Sequence, residues 1–148
     1  MNYSPNFIAF REAAQNCAMQ MMLNADYMRR ELTSIDLAKY YREAIIELCD
    51  EWLSTKHDVF SMMFDMEEFI AEDGETDAEV MTRSHSIMVW LNHGIFSAND
   101  VVEKLQDPSD ERASEHGCRL ATMLVMESAM NVLGAHSTAC EAYNQFSP

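Results

Sequence analysis

Two pairs of carboxylates, Glu47-x-x-Asp50 and Asp65-x-x-Glu68, have the spacing that puts both members on one face of a helix. Such pairs on neighbouring helices can hold Mg²⁺, which takes a few acidic ligands and completes its shell with water and substrate phosphates. Bases that would handle phosphate are few nearby, only Arg42 and Lys56. The five histidines (His57, His85, His93, His116 and His136) form no Glu-x-x-His or His-Glu-x-x-His pattern. Their best partnerships are His116-x-Cys118 and His136-x-x-x-Cys140, and two ligands do not complete a metal site. Cys17, Cys49, Cys118 and Cys140 show no C-x-x-C spacing and no basic surroundings that would lower a thiol pKa. They are expected as buried, reduced thiols. No metal or cofactor follows from these residues. Glu127 stands in the most apolar stretch, with Met123 and Leu124 one turn before it and Met130 one turn after. Buried and unpaired, it would be a candidate acid; the expectation is a narrow polar strip with Asn131, or a pairing with Arg11, Arg29 or Arg119.

Elements that could position these groups are all helical. Ser4-Pro5 places a capping hydroxyl before a proline at the first helical position. Thr33…Asp36, Thr55…Asp58, Thr76…Glu79 and Ser97…Asp100 share the hydroxyl-x-x-acid form of a helix start, and Asp107-Pro108 supplies one more. These signals predict helices over 5–31, 35–53, 58–72, 77–93, 98–106 and 108–134, with a last turn or two over 137–145. Apolar residues step by three and four along them: Phe7, Phe10, Ala14, Cys17, Met21; Ala38, Tyr41, Ile45, Leu48, Trp52; Val59, Met62, Met63, Met66, Ile70. Residues 120–133 are apolar nearly all round, so 118–134 is expected as a central helix that the others wrap. The fold class is therefore all-α, a single compact bundle of about five to six helices in one domain, 1–148. The acidic pairs loosely resemble those of all-α nucleotide pyrophosphohydrolases, although the Glu-Glu-x-x opening of that class is absent. The resemblance implies Mg²⁺-dependent hydrolysis through Glu47, Asp50, Asp65 and Glu68.

Charge placement is the most distinctive property. Ten Lys and Arg against 25 Asp and Glu give a formal charge of −15, which argues against direct binding to a phosphate backbone. The surplus is concentrated: residues 34–80 hold fourteen acids against Lys39, Arg42 and Lys56, a net of −11. Glu43, Glu47 and Asp50, with Glu51 beside them, follow one face of the predicted second helix. Asp58, Asp65, Glu68 and Glu72 follow one face of the third. Packed antiparallel, the two stripes would make one broad acidic surface.

The function expected from this pattern is non-enzymatic. Those eight acids would dock on a basic protein partner, for instance a nucleic-acid-binding groove. Immunity proteins, antitoxins and phage-encoded inhibitors of host defence nucleases are similar in size and charge. A third expectation is a structural homodimer through the neutral, Met-rich helix 5–31 (Met19, Met21, Met22, Met28). The first residues lack the basic and apolar runs of a signal peptide, and no apolar stretch reaches the roughly 18 residues of a membrane span. No membrane contact and a cytoplasmic location are expected.

Overall fold

Ser4 and Pro5 open the first helix as their chemistry requires: the serine hydroxyl accepts from the backbone N–H of Phe7, and proline occupies a position with no hydrogen bond to lose. The computed structural model describes residues 2–108 and 114–147. They form four helices, α1 (Pro5–Leu32), α2 (Lys39–Asp73), α3 (Ala78–Gln106) and α4 (Glu115–Phe146), with no strand among the described residues. Each helix packs along two neighbours, α1 on α2 and α4, α3 on α2 and α4. Partners such as Arg11–Glu67 and Arg29–Asp50, or Tyr27–Glu127 and Phe10–Tyr143, show that adjacent helices run antiparallel. The result is a square, up-down-up-down arrangement.

Four helices replace the five to six expected, because two of the anticipated starts lie inside helices. Thr55 is buried in the middle of α2, and its hydroxyl donates to the Glu51 carbonyl one turn back instead of capping a new helix. Ser97 is likewise internal to α3. Neither junction contains proline, and the buried stripe does not lose phase there. In α2 it runs Tyr41, Ile45, Leu48, Trp52, Thr55, Val59, Met63, Met66, Ile70, and in α3 Val80, Ser84, Ile87, Leu91, Gly94, Ala98, Val101, Leu105. Steps of three and four, strictly alternating in α3 and with one doubled four at Thr55–Val59–Met63 in α2, keep one face on the core.

Helix ends also shift. Thr33 and Ser34 close α1, their hydroxyls bonded to the carbonyls of Arg30 and Glu31, so α2 begins only at Lys39. Arg42 secures that connection by donating to the carbonyls of Leu32 (3.0 Å) and Ile35 (2.6 Å). Asp77, rather than Thr76, caps α3. Asp107 ends α3 and Pro108 is not helical; the start of the expected 108–134 helix falls partly on 109–113, outside the described residues. α4 opens at the Ser114 cap and continues without interruption through Phe146, absorbing the expected last turns.

The apolar stripes read from the sequence are the core: Phe7, Phe10, Ala14, Cys17, Met21, Ile45, Trp52, Val59 and Met66 are fully buried. Met21 and Met28 belong to it, while Met19 and Met22 on the same helix are half-buried. The central-helix expectation is corrected more sharply. α4 is one of four equal sides, and Leu120, Met123, Met126, Met130 and Leu133 lie exposed on it.

Two glycines of α4 test this packing in opposite senses. A β-carbon at Gly117 would overlap the backbone carbonyl of Asp36 in the α1–α2 connection, whereas one at Gly134 meets nothing. Gly117→Ala should destabilise by about 1–3 kcal/mol through overpacking, and Gly134→Ala should stabilise by about 0.5–1 kcal/mol through helix propensity. Chemical denaturation of the two variants checks both signs.

Candidate functional site

The continuity of α2 changes the geometry of the acidic residues. Glu43, Glu47, Asp50, Glu51, Asp58, Asp65, Glu68 and Glu72 all stand on one 35-residue helix. All except Glu51 lie within its outer half, opposite the stripe that packs on the core, while Glu51 turns toward α3. Instead of two stripes side by side they make one line, about 44 Å long from Glu43 to Glu72 at 1.5 Å per residue. Within it, neighbours one turn apart are closer than the roughly 8 Å over which physiological salt screens charge. Two exposed aromatic rings accompany the line, Tyr40 (59% exposed) just before its first member Glu43 and Phe64 (65% exposed) between Asp58 and Asp65. The sequence reading missed both, since neither falls on a regular apolar spacing.

Basic groups flank this line at its shoulders. Arg29 of α1 pairs with Asp50, and Arg83 of α3 lies 3.7 Å from Asp65 and 3.6 Å from Glu79. His93 Nε2 stands 3.1 Å from Glu51, and Lys39 lies 3.6 Å from Glu43. Arg11 binds Glu67, a carboxylate on the α1 side that the sequence reading did not single out. Glu47, Asp58, Glu68 and Glu72 have no ion-pair partner among the described residues. Exposed pairs of this kind contribute about 0–1 kcal/mol each. They set where positive charge ends more than they hold the fold.

The quartet proposed for Mg²⁺ does not assemble. Asp50 and Asp65, its nearest members across the two pairs, are fifteen residues apart on one helix, about 22 Å. One cation needs ligands within about 2–2.6 Å of itself. Among the described residues no group of three or more His, Cys, Asp and Glu side chains gathers as a metal site. Glu47 and Glu51 instead line an open groove of about 180 Å³ between α2 and α3, facing Asp100 and Lys104.

Two other sequence candidates resolve clearly. Glu127 is exposed and accepts a bond from the Tyr27 hydroxyl (3.4 Å), whose pKa its charge raises; among the described residues no arginine pairs with it. Next to it, Asn131 donates to Asn24 (3.0 Å), so the polar strip is real and joins α1 to α4. His136 and Cys140 do share a face of α4. Asn92 Oδ1 lies 2.6 Å from His136 Nε2, and the Cys140 sulfur lies 3.8–3.9 Å from both ring nitrogens. A sulfur equidistant from the two nitrogens is not aligned for proton transfer to either. Burial raises the Cys140 pKa and lowers that of His136, which opposes a thiolate–imidazolium pair. The other thiols are more deeply held, with burial pushing Cys17 to about 12 and Cys49 to about 11. No helix is long and apolar enough to cross a membrane among the described residues.

No family model, curated protein or solved structure matches this chain.

His136 gives a pH prediction with a definite sign. Its folded pKa lies below 6.5, so as pH falls through that value the unfolded chain binds a proton that the folded chain does not. Stability should therefore decline on acidification below about pH 6.5, above the range near 4 where carboxylates titrate. Melting temperatures of His136→Gln should fall less over that interval than those of the parent.

Proposed function

We propose that this chain is a non-enzymatic binding protein that docks the outer face of α2 on a basic surface of a partner protein, in the manner of an inhibitor or an immunity or anti-defence protein. The observation that supports it most is the alignment of seven outward carboxylates along one helix. They fall in two clusters, Glu43–Asp50 and Asp65–Glu72, with steps of about 4.5–6 Å inside each and about 10–12 Å on either side of Asp58, which joins them.

Energetics favour the same reading. Like charges one turn apart cost a few tenths of a kcal/mol per pair in an isolated helix, and a cationic partner relieves that cost. Phe64 within the acidic line and Tyr40 at its N-terminal end supply apolar contact area that charge alone lacks. The groove holding Glu47, Glu51 and Asp100 extends the negative surface toward α3. The four unbridged thiols fit a reducing, cytoplasmic setting. A hydrolase built on Glu47, Asp50, Asp65 and Glu68 is not favoured, since the pairs are too far apart to share a cation.

Charge reversal tests the reading. Glu47, Asp58, Glu68 and Glu72 have no ion pair to lose, so changing all four to Lys should leave helicity intact and the melting temperature unchanged or higher. The tagged parent should retain a basic protein from cell lysate at low salt and release it at high salt. Affinity of the quadruple variant for that protein should drop at least about tenfold, mainly through the association rate. A folded variant that retains the same protein with the same salt profile would rule the acidic face out.

A further inference from the structure

α4 carries two apolar seams, and only one is covered. The inner seam, Cys118, Ala121, Val125, Ser128 and Val132, packs into the bundle. On the opposite side Met123, Met126, Met130 and Leu133 repeat the 3-4-3 step of a helix-pairing face, exposed by 62%, 42%, 68% and 45%. Phe96 (66% exposed) extends this face from α3, one turn beyond the Asn92 that contacts α4. Together these side chains open on the order of 500 Å² of apolar surface, near the upper end for the largest patch of a monomeric protein.

We infer that this face pairs with a second copy of the chain, α4 against α4 in an antiparallel, two-fold arrangement. Charge selects the partner. Between Leu120 and Cys140 the only charged side chain is Glu127, which sits beside the seam and is bonded to Tyr27. Two chains of −15 repel at almost every other surface, and α2 occupies the opposite corner of the bundle. A basic partner, by contrast, finds nothing on the α4 face to attract it. Symmetry selects the orientation. The four seam positions are palindromic about residue 128, so antiparallel contact sets Met123 against Leu133 and Met126 against Met130, in both directions of a two-fold axis. The same alignment sets Glu141 of one copy opposite Glu115 of the other, with Arg119 one turn along from both and placed to pair with them. All three are exposed, and none has an ion-pair partner among the described residues. Two such faces bring together about 1,000 Å² of apolar surface, the lower bound for a specific interface. This inference does not depend on the docking role of α2, and a dimer so built turns both acidic lines outward.

Sedimentation equilibrium of the full chain at micromolar to sub-millimolar concentration tests it. The parent should reach twice 17.0 kDa, and association should strengthen with added salt, the opposite of an acidic docking contact. Met126→Glu with Met130→Glu should weaken the dimer at least about 100-fold while helicity and melting of the monomer persist. Arg119→Glu should weaken it less, and adding Glu141→Arg should restore it; failure of that restoration overturns the antiparallel register. A parent that stays monomeric across the range overturns the dimer and leaves the face to an apolar partner of another kind. A dimer unaffected by the paired methionine changes also overturns it.

Discussion

A helix of 35 residues stays whole only while its buried stripe keeps phase with its neighbours, and in α2 that phase holds from Tyr41 to Ile70. The middle of the stripe is fixed by Trp52, fully buried, whose indole N–H donates to the carbonyl of Gly94 (3.0 Å). Gly94 belongs to the seam of α3 because its missing side chain leaves room for that ring and for Met21 of α1. Three helices meet at this point. It lies just before the stretch, 54–57, where the capping pattern alone would end a helix. A buried aromatic ring with its N–H satisfied outweighs a cap of about 1 kcal/mol.

Everything proposed for α2 follows from that continuity. Had the chain turned at 54–57, the acids would lie on two antiparallel helices and make a broad, short patch. Carried on one helix, they form a narrow line with cationic residues confined to its edges. Arg29 and Arg83 mark those edges, reaching from α1 and α3 to Asp50 and Asp65. Such exposed pairs contribute little to stability. They do tie the paired acids down and leave Glu47, Asp58, Glu68 and Glu72 as the outward charge.

Opposite corners of the bundle thus differ in chemistry. α2 is charged and presents aromatics only singly; α4 is nearly uncharged over twenty residues and presents a continuous apolar seam. In a four-helix square each helix needs one seam of this width to face the core. A second seam on the same helix adds nothing to the fold of one chain. It exposes large apolar groups to water at a cost of about 25 cal/mol per Å². The methionines there are also suited to adaptable contact, being unbranched and polarisable.

Residue order alone was enough to read the helical class, the first cap at Ser4-Pro5, the buried stripes from Phe7 to Ile70 and the concentration of acid in the second quarter of the chain. These are local or periodic properties, carried by side-chain type and spacing of three and four residues. The tertiary structure decided where helices end, because a hydroxyl-x-x-acid pattern is equally compatible with a helix interior when Thr55 can bond back to Glu51. It also decided which of two apolar seams on α4 faces inward. Periodicity marks both, and only packing against α1 and α3 distinguishes them. Glu127 shows the same limit, since its neighbours in sequence are apolar while its neighbours in space are Tyr27 and water.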